Sequence, residues 1–190
     1  MKKLRLEASP GAAFVAAALI YFLRGWELLA LLPALLIHEL GHTAAILALG
    51  LSLRGFRAEA GGFRLDYAGE TTALGHALIA AAGPAAGFAY AALASRLWQQ
   101  TGQDWLCLSS GISLLLSVFN LLPAPPLDGG RILTPLLDLI LGSSRGERVG
   151  RILGYGVGLA LCACGVLYAL KGKGAAPLLP GLWLLLREDL

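Results

Sequence analysis

The stretch Leu36-Ile37-His38-Glu39-Leu40-Gly41-His42 decides how this chain is interpreted, because it places three ionisable side chains inside an apolar run from Leu28 to Gly50. At about 3.6 residues per turn, an α-helix brings His38 and His42 onto one face, where two imidazoles can bind one metal ion. The run is long enough to cross a bilayer as a single helix. Ionisable groups at that depth are costly and normally face a cavity or a partner. The stretch therefore predicts a metal site inside a membrane helix.

Glu39 completes the pattern HExxH, in which two histidines bind a metal ion and the glutamate acts as a general base. The alternative is a surface helix that happens to carry polar residues. The apolar residues on both sides of the motif leave no polar face for solvent, which argues against this alternative. The pattern predicts zinc as the metal, His38 and His42 as two of its ligands, and Glu39 as the catalytic residue.

The composition indicates an integral membrane protein. Of the 190 residues, 57% are hydrophobic and only 14% are charged, whereas about a quarter are charged in ordinary soluble domains. The mean hydropathy is +0.71. The net charge of +3 comes from Lys and Arg residues scattered at the ends of apolar runs, so no nucleic-acid-binding surface is expected. We predict an all-α polytopic membrane protein with a single transmembrane domain over residues 1–190.

Six apolar runs predict about six transmembrane helices. An even number of spans places both termini on one side of the membrane. If that side is cytoplasmic, all Lys and Arg residues except Arg24, Arg96, Lys171 and Lys173 fall on it, in agreement with the positive-inside rule. This orientation places the site toward the cytoplasmic half of the membrane. The predicted spans are residues 11–23, 26–49, 74–97, 105–122, 152–170 and 175–186, with a polar link over 142–151.

Residues 50 to 73 have a different pattern, in which apolar and polar residues alternate imperfectly. Phe63, Leu65 and Tyr67 are apolar at every second position, and Gly61-Gly62 marks a turn. We predict a short β-hairpin between spans two and three. The pattern leaves two roles open, namely an ordinary surface hairpin or a strand edge that pairs with an extended peptide.

The segment from Asn120 to Arg131 is the second informative stretch, because it holds three prolines and the pair Gly129-Gly130. We expect a rigid non-helical segment, in which the glycines permit unusual dihedrals and close backbone approach, followed by a helix that begins near Arg131. Asp128 is the best candidate for a third zinc ligand, since catalytic zinc usually keeps three protein ligands and one open position. The alternative role for Asp128 is a turn or N-cap residue, and the alternative third ligand is His76.

Taken together, these motifs resemble the site-2 protease family of intramembrane zinc metalloproteases, and in particular its small six-span, sporulation-protease-like bacterial members without a regulatory domain. The resemblance extends over about residues 10 to 187. It rests on the HExxH motif at His38, on Ala82-Gly83-Pro84, and on Asn120 followed by Pro123 and Leu127-Asp128-Gly129-Gly130.

The resemblance implies a set of residue roles and a cofactor. His38, His42 and Asp128 would bind one Zn²⁺ per chain. Glu39 would be the catalytic base, and Asn120 would be a substrate-binding residue. Where the family often has an asparagine shortly after its Gly-Pro pair, this chain has Ala86 and Gly87.

The resemblance also implies a function, which is hydrolysis of a peptide bond within or next to a membrane segment of a regulatory substrate protein. The expected setting is regulated intramembrane proteolysis in a bacterial cell membrane. The expected partners are a membrane-anchored or membrane-associated protein substrate and the lipid bilayer, with no nucleic acid; an inhibitory or delivery partner stays open. Two other functions are considered: a catalytically silent adaptor that binds membrane helices, and a metal transporter. The intact Glu39 argues against the adaptor, and the absence of a polar line through spans one, five and six argues against the transporter.

Overall fold

The computed structural model describes residues 5–23, 25–59 and 62–186, and these residues form seven α-helices and three β-strands. The predicted turn residue Gly61 lies outside the described residues, as do Lys2, Lys3, Arg24 and Arg187. The elements in chain order are β1 (Arg5–Ala8), α1 (Pro10–Phe22), α2 (Gly25–Ala48), β2 (Ser52–Glu59), β3 (Gly62–Ala68), α3 (Ala73–Thr101), α4 (Asp104–Asn120), α5 (Asp128–Leu141), α6 (Ser143–Leu170) and α7 (Leu178–Leu185).

Three helices, α2, α3 and α6, are long and apolar enough to cross a membrane. Helices α1 and α4 are apolar but have only 13 and 17 residues, and α7 has 8. A helix rises about 1.5 Å per residue, whereas the hydrocarbon core of a bilayer is about 30 Å thick. The mostly helical membrane fold is confirmed and the chain is an integral membrane protein. The count of six spans is not confirmed.

The chain divides into two compact units, Met1–Val118 and Phe119–Leu190. Each unit has its own packing. The single transmembrane domain over residues 1–190 stays a prediction.

In the first unit, α2 buries one narrow stripe of residues spaced four apart. The stripe consists of Ala30, Ala34, His38, His42 and Ile46. Residues spaced four apart in a helix lie on one face, so this stripe is the surface that α2 turns inward. The other faces carry exposed large apolar side chains, which suit contact with lipid: Leu29, Leu32, Leu36, Leu40 and Leu47. The only polar residues of the buried stripe are therefore the two histidines.

Helix α3 packs closely against α4 through small residues. Ser113 Oγ donates a hydrogen bond to the Gly87 carbonyl at 2.9 Å, and Ser110 Oγ donates one to the Ala91 carbonyl at 2.8 Å. A Cβ atom at Gly87 would overlap the Ser117 hydroxyl. Small residues allow membrane helices to approach closely, and serine hydroxyls then bond to carbonyls across the interface.

The predicted hairpin is confirmed as the antiparallel pair β2 and β3. Strand β1 was not predicted; it pairs in parallel with β2, from Arg5 opposite Gly55 to Ala8 opposite Ala58. Leu65 of β3 packs in one apolar cluster with Ile46, Leu51 and Ile79. Because Ile46 ends the buried stripe of α2 and Ile79 lies in the second turn of α3, this cluster fixes the sheet to the adjoining ends of those two helices.

In the second unit, residues 121–127 are non-helical as expected, but α5 begins at Asp128 and not near Arg131. Gly129 and Gly130 lie in its first turn with ordinary negative φ angles. A Cβ atom at Gly129 would overlap the Leu121 carbonyl, and one at Gly130 would lie too close to the backbone of Ala124. The glycines are thus needed for close backbone approach and not for unusual dihedrals.

Helix α6 is longer than predicted, since residues 143–151, which were expected to form a polar link, are its first turns. Its buried residues form a glycine stripe, also spaced four apart over most of its length: Gly146, Gly150, Gly154 and Gly158, followed by Gly165. Gly146 lies against Asp138 of α5, and Gly158 lies against Leu185 of α7. The stripe therefore gives both neighbouring helices close contact with α6.

Candidate metal centre

The two histidines of α2 form the core of the candidate site. His38 and His42 are 3% and 4% exposed, and their Nε2 atoms lie 3.3 Å apart. Two nitrogens that bind one tetrahedral zinc ion at about 2.0–2.1 Å are about 3.3 Å apart, by simple geometry. The spacing of the two imidazoles therefore fits a shared zinc ion.

The orientation of His42 is set by a backbone group of α3. His42 Nδ1 lies 2.8 Å from the carbonyl oxygen of Ile79. A carbonyl can only accept a hydrogen bond, so Nδ1 carries the proton and donates it. The lone pair of the ring is then on Nε2, which is the nitrogen that faces His38. Metal-binding histidines are commonly held by such a hydrogen bond from their other ring nitrogen.

Two glycines bring α3 close enough to α2 for this contact. A Cβ atom at Gly41 would overlap the Ala82 carbonyl, and a Cβ atom at Gly83 would overlap the His42 ring. Both glycines are therefore required by the space available, one on each helix. Gly41 lies between the histidines in the HExxH motif, so the sequence that carries the ligands also permits the close helix contact.

Glu39 follows His38 in α2 and is half-buried. Its backbone carbonyl accepts a hydrogen bond from Thr43 Oγ1 at 3.0 Å. Its position beside the histidine stripe suits a general base, which has to be near the metal without being one of its ligands. The catalytic role of Glu39 stays a prediction.

Asp128 and Asn120 belong to the second unit. Asp128 is buried in the first turn of α5, and its Oδ1 atom lies 3.5 Å from Arg131 Nη1. Asn120 is the last residue of α4 and is half-buried. The predictions that Asp128 binds zinc and that Asn120 binds substrate are not tested by these positions and stay predictions.

His76, the alternative ligand, is exposed near the start of α3. Its Nδ1 atom lies 2.9 Å from the hydroxyl of Tyr67 in β3. Within the described residues, His76 belongs to no candidate metal-ligand set. His76 instead joins the sheet to α3.

The sequence alone does not indicate the part that α3 plays at this site. Gly83 and Pro84 entered only through the family resemblance. The signal that could have shown their position is the pairing of Gly41 in one helix with Gly83 in the next. The Ile79 carbonyl carries no such signal, because every residue has a backbone carbonyl.

Known proteins are similar to this chain in fold or in sequence. The fold is similar to that of the site-2 protease from Methanocaldococcus jannaschii, with a TM-score of 0.71 and 21% identity, over 97% of this chain and 89% of that chain. Residues 92–164 match the family model described as Peptidase family M50. A Mycobacterium tuberculosis protein named "Putative zinc metalloprotease Rip3" is 32% identical over 92% of this chain. Together these matches support the site-2 protease family for this chain.

A second relative is a Synechocystis sp. protein named "Putative zinc metalloprotease sll0528", which is 30% identical over 73% of this chain. The chain spans about half the length of these curated relatives, 46% of Rip3 and 38% of sll0528. The segment that matches the M50 family model contains Asp128, whereas His38 and His42 precede it.

Proposed function

We propose that this chain is a member of the site-2 protease family and an intramembrane zinc metalloprotease, which hydrolyses a peptide bond within or next to a membrane segment of a regulatory substrate protein. The observation that carries the proposal is the pair of Nε2 atoms 3.3 Å apart on the buried stripe of an apolar helix. The names of the curated relatives, which describe zinc metalloproteases, support the same function.

The proposed ligands are His38, His42 and Asp128, which each offer one metal-binding atom and are all buried. Two neutral imidazoles and one carboxylate form a donor set of the kind that catalytic zinc sites use, with one coordination position left open. When bound, zinc supplies Lewis acidity that polarises a carbonyl oxygen and lowers the pKa of water. His42 is prepared for this role, because its Nδ1–H is already donated to Ile79.

Glu39 moves the proton in the proposed reaction. Its carboxylate takes a proton from the water molecule that attacks the scissile carbonyl carbon. The C–N bond then breaks, and Glu39 gives the proton to the nitrogen of the leaving amine. One water molecule and one peptide bond yield a carboxylic acid and an amine, and Glu39 is regenerated.

The substrate has to be extended at the bond that is cut. A membrane helix uses its carbonyls in hydrogen bonds from residue i+4, so it must unwind locally before attack. The side-chain amide of Asn120 suits hydrogen bonding to such exposed backbone. We place the active site toward the cytoplasmic half of a bacterial cell membrane, in agreement with the distribution of Lys and Arg. An inhibitory or delivery partner for the enzyme is left open.

The experiment that tests the proposal measures zinc content and cleavage of a generic membrane-anchored substrate in detergent-purified protein. Wild type should hold about one zinc per chain, Asp128→Ala should lose it, and Glu39→Gln should keep zinc but lose cleavage. Glu27→Gln, a change of the same kind in the first turn of α2, serves as the matched control and should cut normally.

Other outcomes would contradict specific parts of the proposal. Cleavage by Glu39→Gln would remove Glu39 from its catalytic role. Full zinc occupancy in Asp128→Ala would show that the third ligand is another residue. Wild type with normal zinc and no cleavage would favour the silent adaptor, and zinc uptake into vesicles without cleavage would favour the metal transporter.

A further inference from the structure

We propose that Gly83 and Pro84 of α3 are positioning residues for His42, which they hold in the one orientation that directs its Nε2 atom toward the metal. The inference rests on the proposed function only in taking zinc as the bound ion. Neither residue touches the reacting atoms, so the role is one of orientation and not of catalysis.

Gly83 determines where the ring of His42 can lie. A Cβ atom on Gly83 would overlap the Nε2, Cε1 and Cδ2 atoms of His42. The overlap involves the metal-binding edge of the imidazole, and Gly83 and His42 are both buried. A methyl group at position 83 would therefore have to displace the ring, because close-packed surroundings leave no room for both. Because Gly83 has no side chain, the imidazole of His42 can occupy the space beside it.

Pro84 determines which carbonyl His42 can reach. A proline inside a helix has no N–H, so the carbonyl four residues earlier, that of Ala80, receives no helical hydrogen bond from position 84. The proline ring also pushes against that carbonyl and opens the preceding turn. Ile79 lies in this turn, and its carbonyl accepts the hydrogen bond from His42 Nδ1 at 2.8 Å. We take the loosening of this turn by Pro84 to be what directs the Ile79 carbonyl toward His42.

The two residues act on different parts of the same ring. Gly83 provides the space beside Nε2, and the turn before Pro84 provides the acceptor for Nδ1. Together they fix the position of the imidazole and its tautomer. Hydrogen-bond partners that orient metal-binding histidines typically change metal affinity about 10–100-fold when they are removed.

The test measures the zinc dissociation constant of full-length, detergent-purified protein by competition with a chelator. Pro84→Ala and Gly83→Ala should each bind zinc about 10–100-fold more weakly than wild type. The matched controls are Pro135→Ala, which removes an interior proline of α5, and Gly111→Ala, whose Cβ atom would meet no other atom within 4 Å. Both controls should bind zinc as wild type does.

Thermal unfolding of the metal-free proteins separates positioning from simple damage. Pro84→Ala restores an N–H inside a helix, so the metal-free protein should unfold at the same temperature as wild type or higher, although it binds zinc more weakly. A purely structural role would move stability and zinc affinity in the same direction.

Several results would overturn the inference. Wild-type zinc affinity in Pro84→Ala would show that Pro84 does not position His42, and wild-type affinity in Gly83→Ala would do the same for Gly83. If Gly83→Ala does not fold, Pro84→Ala alone decides the question. A wild-type protein that binds no zinc would instead contradict the proposed function, so the two failures are distinguishable.

Discussion

Helices α2 and α6 both pack closely against neighbouring helices, but the side chains at the contacts come from α2 itself in one case and from the neighbours of α6 in the other. Each is a long apolar helix that buries a stripe of residues spaced four apart. In α2 the stripe carries imidazole rings, and the facing helix α3 provides the space for one of them at Gly83. In α6 the stripe is made of glycines, and the facing helices supply the side chains, Asp138 from α5 and Leu185 from α7.

The difference shows how to recognise function in a membrane helix. Close packing needs one small residue at each contact, but it does not matter which helix provides it. A stripe of glycines is explained by packing alone. Packing alone does not explain a stripe that carries two histidines, because alanine would pack equally well there. Buried imidazoles in an apolar helix need hydrogen-bond partners or a metal ion. Changes in the α2 stripe should therefore affect metal binding, and changes in the α6 stripe should affect stability.

The largest effect is expected for His42→Ala, which removes one of the two paired nitrogens. Zinc content should fall from about one ion per chain to near zero, as measured by metal analysis after gel filtration. Ile46→Val, on the same stripe one turn later, removes one buried methylene and serves as the control. It should cost about 0.5–1.5 kcal/mol of unfolding free energy and leave zinc content unchanged. If both variants lost zinc equally, zinc binding would depend on packing of the α2 stripe in general and not on His42 in particular. The α2 stripe would then have a packing role, like the α6 stripe.

An intermediate effect is expected for Gly165→Ala in the glycine stripe of α6. The added Cβ atom would lie 2.7 Å from the backbone nitrogen of Leu178, so α6 and α7 would have to move apart. The expected loss is about 1–3 kcal/mol of unfolding free energy, measured by titration with a denaturing detergent. Gly156→Ala has open space around its Cβ atom and should be neutral or stabilising. Equal stability of the two variants would contradict a packing role for the stripe.

The smallest effect is expected for Ser113→Ala in α4, which removes the 2.9 Å hydrogen bond to the Gly87 carbonyl. Hydrogen bonds between membrane helices contribute about 0.6 kcal/mol on average, so the loss should be of that order. The same detergent titration measures it, and Ser95→Ala, away from the α4 serines, is the control. A loss of several kcal/mol would mean that the serines of α4 hold the first unit together more than its apolar contacts do.

The sequence predicted the features that depend on local pattern. The helix of the HExxH motif was expected over residues 26–49 and is found as Gly25–Ala48, because a long apolar run determines a membrane helix by itself. The β2–β3 hairpin follows from alternation at Phe63, Leu65 and Tyr67. The pairing of His38 and His42 follows from helical periodicity.

The features that depend on distant contacts were missed. Strand β1 is only four exposed residues, and it forms because a strand about fifty residues later lies beside it. The early start of α5 was missed because Gly129 and Gly130 are usually read as helix breakers, although here the contact with Leu121 and Ala124 requires them. The role of the Ile79 carbonyl depends on the approach of α2 and α3, which no local pattern contains.

The parallel pairing of β1 with β2 has a consequence for the membrane around the first unit. Strands of one sheet cannot be separated by hydrocarbon, so the chain before α1 and the chain after α2 lie on the same side of the bilayer. If α2 crosses the bilayer, α1 has to cross back, although its 13 residues rise only about 20 Å against a hydrocarbon thickness of about 30 Å. A crossing α1 would require the lipid to deform, with a locally thin bilayer beside the helix that carries the histidines.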